Sequence, residues 1–127
     1  IRVYIIGNIL ERGRGINGNK FTGRIVKAKT PVEATSKISG NKEEILMVPY
    51  LNKDYSYILE KVNGVIVEEV CDIQKSELNK INPDLVVISE LHNSLRLEGG
   101  IRVTLDGKQG FIFEGDIDTE EYIERYS

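Results

Sequence analysis

A chain of 127 residues with 40% hydrophobic content has the size and apolar content for one domain and leaves little room for two. Its net charge is −3 and it has no basic block, which argues against a nucleic-acid partner, because phosphates call for clustered Lys and Arg. Cys71 is the single cysteine, so no intrachain disulfide forms, a reducing and therefore cytoplasmic compartment is expected, and no long apolar run reads as a membrane span.

Taken in order, IRVYII (1–6) alternates and is β-branched, and reads as a strand. GNILERGRGINGNKF (7–21) carries Gly7, Gly13, Gly15 and Gly18 and reads as a loop. TGRIVKAKT (22–30) is a second strand. A short helix follows from Thr30, which can cap it, with Pro31 in the first turn and Glu33 completing a Thr-x-x-Glu capping box. Gly40 and Asn41 stop it. EEILMVPYL (43–51) is a near-continuous apolar run, as in a strand buried on both faces.

In DYSYILEKVNG (54–64), Tyr55, Ile58, Leu59 and Val62 fall on one helix face, and Gly64 suits the end. VIVEEV (65–70) is another buried strand. IQKSELNKI (73–81) is a helix ending before Asn82-Pro83. LVVISEL (85–91) is a strand and HNSLRLEGG (92–100) is irregular. IRVTLDGKQGFIFEG (101–115) reads as two strands around an Asp106-Gly107 hairpin signal. DTEEYIERYS (118–127) is a terminal helix or tail, with Asp118 and Glu121 spaced as a cap pair. Strand and helix alternate through the middle, which predicts a parallel central sheet with right-handed crossovers; the β-rich ends predict a flanking β layer. The whole, 1–127, is read as one α/β domain.

The residues offer little catalytic chemistry. Cys71 and His92 are the only soft metal ligands, too far apart and too few for zinc, so no metal site is expected. As a nucleophile pair they are weak, since a free Cys behaves as a small buried hydrophobe and a lone His in a polar loop is usually solvated. Gly13, Gly15 and Gly18 match the G-x-G-x-x-G spacing, but a strand follows where a dinucleotide fingerprint opens a helix. Glu68 and Glu69 end a strand and point to opposite faces, so they do not share a proton unless the strand bends there; a strand end is where α/β folds place ligands, which keeps the pair as candidates. Gln74 and Lys75, at the start of the third helix, are the candidates for holding an anion. No catalytic residue is assigned.

The order of several motifs resembles the phosphohistidine swivelling domain of phosphoenolpyruvate-utilising enzymes, above all the extra C-terminal domain of some bacterial pyruvate kinases. The segments that carry the likeness are RVYIIGN followed by GRGING, GRIVKAKTPVEA (23–34), ILMVPYLNKDYSYILEKV (45–62), GVIVEEVC (64–71) and GGIRVTLDGKQGFIFEG (99–115). The family continues its Glu-Glu pair with Gly-Gly-Leu-Thr-Ser-His. Here Val70-Cys71-Asp72-Ile73-Gln74-Lys75 stands instead, and Lys75 takes the histidine position. Lysine has no ring nitrogen suited to phosphoryl relay.

The resemblance implies a swivelling-type β/β/α fold without the carrier chemistry. It implies a piece excised from a longer chain, whose first residue, Ile1, falls in mid-strand. The parent would be a glycolytic transferase moving phosphate from phosphoenolpyruvate to ADP with Mg²⁺ and K⁺, neither held by this segment. The expected partners are the rest of the parent and, through it, further copies, with no membrane or nucleic acid. Tyr122 and Tyr126 are candidate subunit contacts. The alternatives are an anion-binding regulatory module built on Lys75 and Gln74, a degenerate phosphocarrier domain of another phosphoenolpyruvate-utilising enzyme, and a carrier that uses His92.

Overall fold

The computed structural model describes residues 9–94 and 96–117. The opening strand expected over 1–6 and the terminal helix over 118–127, with Tyr122 and Tyr126, lie outside the described residues.

Eight strands and three α-helices follow one another: β1 (Ile9–Arg12), β2 (Arg14–Asn17), β3 (Lys20–Lys27), α1 (Pro31–Lys37), β4 (Glu44–Val48), α2 (Ser56–Leu59), β5 (Gly64–Val67), α3 (Lys75–Ile81), β6 (Val86–Ser89), β7 (Arg102–Asp106) and β8 (Phe111–Glu114). They form one mixed sheet in the order β1-β8-β7-β3-β4-β5-β6-β2. β3, β4, β5 and β6 are parallel, as the alternation predicts. β7 and β8 form the expected hairpin; Asp106 Oδ1 accepts the amides of Lys108 and Gln109 and so shapes the turn.

The side-chain period of two splits the apolar strands between two cores. Leu46, Val48, Val65, Val67 and Val87 face the helices, where Ala34, Tyr55, Ile58, Leu59 and Leu78 cover them. Their neighbours Ile45, Met47, Ile66, Val86 and Ile88 face the other way and pack with Leu10, Val103, Leu105 and Ile112 from the antiparallel strands. Both faces of β4, β5 and β6 are therefore buried, which explains why their sequences read as continuous apolar runs. The helices thus cover one side of the parallel strands, and residues of the antiparallel strands pack on the other.

Thr30 caps α1 as expected, its Oγ1 accepting the Glu33 amide at 3.1 Å. Glu33 instead uses its carboxylate to hold Lys37 at 3.0 Å. The helix expected across 54–64 is shorter. Asn52 caps a 3₁₀ turn at Lys53–Tyr55, α2 adds only Ser56–Leu59, and Tyr55, Ile58, Leu59 and Val62 are all buried as their spacing requires.

The Gly-rich segment read as a loop proves to be β1 and β2. Its glycines answer to close approach between backbone segments rather than to flexibility. A Cβ on Gly13 would run into the Ser89 carbonyl, and one on Gly15 into the Gly107 carbonyl. Gly18 adopts φ +82°, which favours glycine in the turn to β3. β1 pairs with β8 and β2 with β6, so one short segment binds both ends of the strand order. Each of these edge strands also has contacts beyond its ladder partner. His92 N–H donates to the Arg12 carbonyl and Asn93 N–H to Glu11 Oε1, while the turn at Gly107–Gly110 lies against β2.

Candidate functional site

The β4 and β5 ladder continues beyond both strands. Glu68 N–H donates to Val48, Glu69 to Pro49 and Asp72 to Leu51, and Leu51 bridges Cys71. On the other side Glu90 and Leu91 donate to Glu69 and Glu68. Residues 68–72, which bend at Glu68 and Glu69, are thus held by main-chain hydrogen bonds at the carboxyl ends of the parallel strands, where α/β sheets commonly place ligands.

Beside this extension opens a cleft of about 780 Å³. Arg14, Gly15 and Ile16 of β2 form one wall; Cys71, Asp72 and Ile73 form another; Gln74, Lys75 and Glu77 come from the start of α3, and Lys53 from the turn after β4. Both sequence candidates, Gln74 and Lys75, therefore line the cleft. Gln74 is the N-cap residue of α3 and makes no side-chain capping bond. Arg14 and Lys53, which the sequence reading did not single out, join them. They come from elements far apart in the chain, so no local pattern announces them.

The charges inside the cleft are partly neutralised. Arg14 meets Glu90 at 3.5 Å, and Lys53 meets Glu77 at 3.4 Å. Among the described residues no group of three or more His, Cys, Asp or Glu side chains converges to hold a metal ion.

The other sequence candidates go separate ways. Cys71 lines the cleft, whereas His92 is exposed on the loop beside β1 and is not among the cleft residues. Glu68 accepts a hydrogen bond from Ser94 Oγ at 2.9 Å, while Glu69 is exposed, so the two carboxylates are differently employed. Gly13, Gly15 and Gly18 lead into β3, so no helix N-terminus follows them.

Burial pushes the Cys71 thiol above its ordinary range; contact with the Ile73 backbone opposes this, and the Asp72 charge adds to it. Only the thiolate is nucleophilic. Iodoacetamide is therefore expected to alkylate Cys71 more slowly at pH 7.5 than it alkylates an unstructured cysteine peptide. The rate should keep climbing at pH values where the peptide has levelled off. A rate equal to the peptide's at pH 7.5 would contradict a raised pKa for this half-buried thiol.

Fold and cleft together define a mixed α/β unit built on an eight-stranded sheet, with a polar cleft at the carboxyl ends of its parallel strands. No protein-family model matches the chain. Pyruvate kinase from Lactobacillus delbrueckii subsp. bulgaricus is 26% identical over 118 residues, covering 92% of this chain and 20% of that protein. Pyruvate kinase from Sporosarcina psychrophila is 28% identical over 116 residues, covering 91% of this chain and 20% of that protein. The chain is similar to a region of pyruvate kinases and spans about a fifth of the length of these curated relatives. Among solved structures, Thermococcus kodakaraensis aconitase X matches with a TM-score of 0.59 and 17% identity, over 84% of this chain and 98% of that one. That likeness concerns the fold alone. No helix among the described residues is long and apolar enough to cross a membrane.

Proposed function

We propose that this chain is the extra C-terminal domain of a bacterial pyruvate kinase and does no chemistry of its own. The observation that carries the proposal is the reach of the alignments: they take in 91–92% of this chain but only 20% of each relative. We further infer that the fold is of the swivelling phosphohistidine type, a reading supported by the helices on one side of the parallel strands and the antiparallel strands on the other, and by the motif order from residue 23 to residue 115. Lys75 opens α3 at the position where that motif carries its histidine, and it is an amine without a ring nitrogen.

On this reading the parent transfers phosphate from phosphoenolpyruvate to ADP in the glycolytic cytoplasm. On the same reading the Mg²⁺ and K⁺ of that reaction belong to the remainder of the parent. The domain's role is mechanical or regulatory: it packs against the catalytic body or between subunits of a homo-oligomer.

The test is to measure the mass of the intact parent polypeptide and assay phosphoenolpyruvate-to-ADP transfer with and without residues 1–127. Turnover is expected to survive the deletion, with altered heat stability, assembly or effector response. Loss of turnover from a deletion variant that still folds and assembles would overturn the proposal.

A further inference from the structure

The cleft holds groups that a purely packing role leaves idle. Arg14, Lys53 and Lys75 reach it from three separate elements. Two of these cations grip the protein's own carboxylates, Glu90 and Glu77. Both pairs are open to water, with Arg14 and Lys53 side chains 72% and 74% exposed. Pairs so exposed are weak, and another anion can displace their carboxylates at small cost.

A second observation comes from β6. Ser89 is 1% exposed, and its hydroxyl has no hydrogen-bond partner. Buried hydroxyls in native proteins are nearly always satisfied, so an idle one marks a place where a partner fits. Ser89 pairs with Arg14 across β2 and β6, and residues paired in this way project to the same face of the sheet. That is the helix-side face, because the preceding Ile88 packs in the opposite core. The unused hydroxyl and the cleft guanidinium therefore share one face. The seven-residue α3 contributes the Lys75 side chain to this arrangement, and nothing depends on its N-terminus.

We propose that the cleft binds a small oxyanion of two or more negative charges, phosphoryl or dicarboxylate, with Arg14, Lys53 and Lys75 as donors and the Ser89 hydroxyl on the shared face. Asp72 and Glu77 also line the cleft and hold its net charge low. A singly charged anion gains little there, whereas a dianion engages two released cations at once. Ile16 and Ile73 give an apolar surface for the body of a ligand larger than the bare anion.

The test is a titration of the ¹⁵N-labelled protein with inorganic phosphate, malonate or chloride at constant ionic strength. Saturable amide shifts are expected at Gly15, Asp72, Gln74 and Lys75 with phosphate or malonate and not with chloride; whichever dianion saturates at lower concentration assigns the class. Arg14→Ala and Lys75→Ala should each weaken binding about fivefold, and Glu77→Gln should tighten it about fivefold, the scale of one exposed charge pair. All three positions are on the surface, so the variants keep the fold. Shifts that rise without saturating, spread over other surface lysines or ignore all three substitutions would mean an adventitious ion only, and the proposal would fall.

Discussion

Gly110→Ala is expected to destabilise the fold by about 2–5 kcal/mol, the sum of a left-handed backbone penalty and overpacking against main chain. Gly110 sits in the β7–β8 turn at φ +79°. Its carbonyl accepts the Gly13 amide at 2.8 Å, and a Cβ there would press on the Gly13 carbonyl. The obstacle is main chain at Gly13 and Gly15, beside and within β2, and it cannot swing aside as the end of a flexible side chain would. Gly40 supplies the control. It has φ +90°, but a Cβ would meet nothing within 4 Å, so Gly40→Ala should cost only about 1–2 kcal/mol. Urea denaturation of both variants measures the difference. Equal losses would mean that the contact between the turn and Gly13 contributes nothing.

Asn82→Ala should cost about 2–3 kcal/mol, because one buried side chain satisfies several main-chain groups at once. Asn82 Nδ2 donates to the Val62 carbonyl at 2.7 Å, the Leu59 carbonyl at 3.2 Å and Asn63 Oδ1 at 3.0 Å. Its Oδ1 accepts the Asp84 amide at 3.0 Å. The side chain thereby joins the end of α3 to the end of α2 and the entry to β5. Asn82→Asp is the sharper variant. It keeps the acceptor and the volume but turns a negative oxygen towards two carbonyls. Its carboxyl pKa should rise on folding, so the variant should be relatively most stable below the ordinary carboxylate range and weaken as pH climbs through it. Thermal unfolding of Asn82→Ala within about 0.5 kcal/mol of the parent chain, as for an ordinary surface change, would refute the role.

The buried architecture was plain in the residues wherever burial is two-sided. The apolar runs of β4, β5 and β6 fixed their nature because no other element explains such stretches, and the Thr30 cap and Asp106 turn are local devices read from a few neighbours. The glycines of 13–18 misled for a physical reason. A glycine required by a carbonyl far along the chain looks, locally, the same as one required by a turn, and Ser89 and Gly107 cannot be seen from Gly13 and Gly15. The cleft divides the same way. Gln74 and Lys75 were visible as a helix start, while Arg14 and Lys53 reach the cleft from β2 and from the turn after β4, and Arg14 meets Ser89 only once β2 pairs with β6.

The fastening of both sheet edges by residues 9–17 also governs the order in which the chain can be completed. β1 has no partner until β8 exists, and β2 has none until β6 exists. On a ribosome, the strands that emerge first must wait unpaired while the parallel strands and their helices assemble behind them. The seam then closes only when β7 and β8 are released, at the cost of joining Ile9 to Phe113 across the described fold. The earliest-made part of the described fold is thus the last to be locked, and a nascent chain halted before Phe111 would expose the β8-binding side of β1 to whatever else offers a strand.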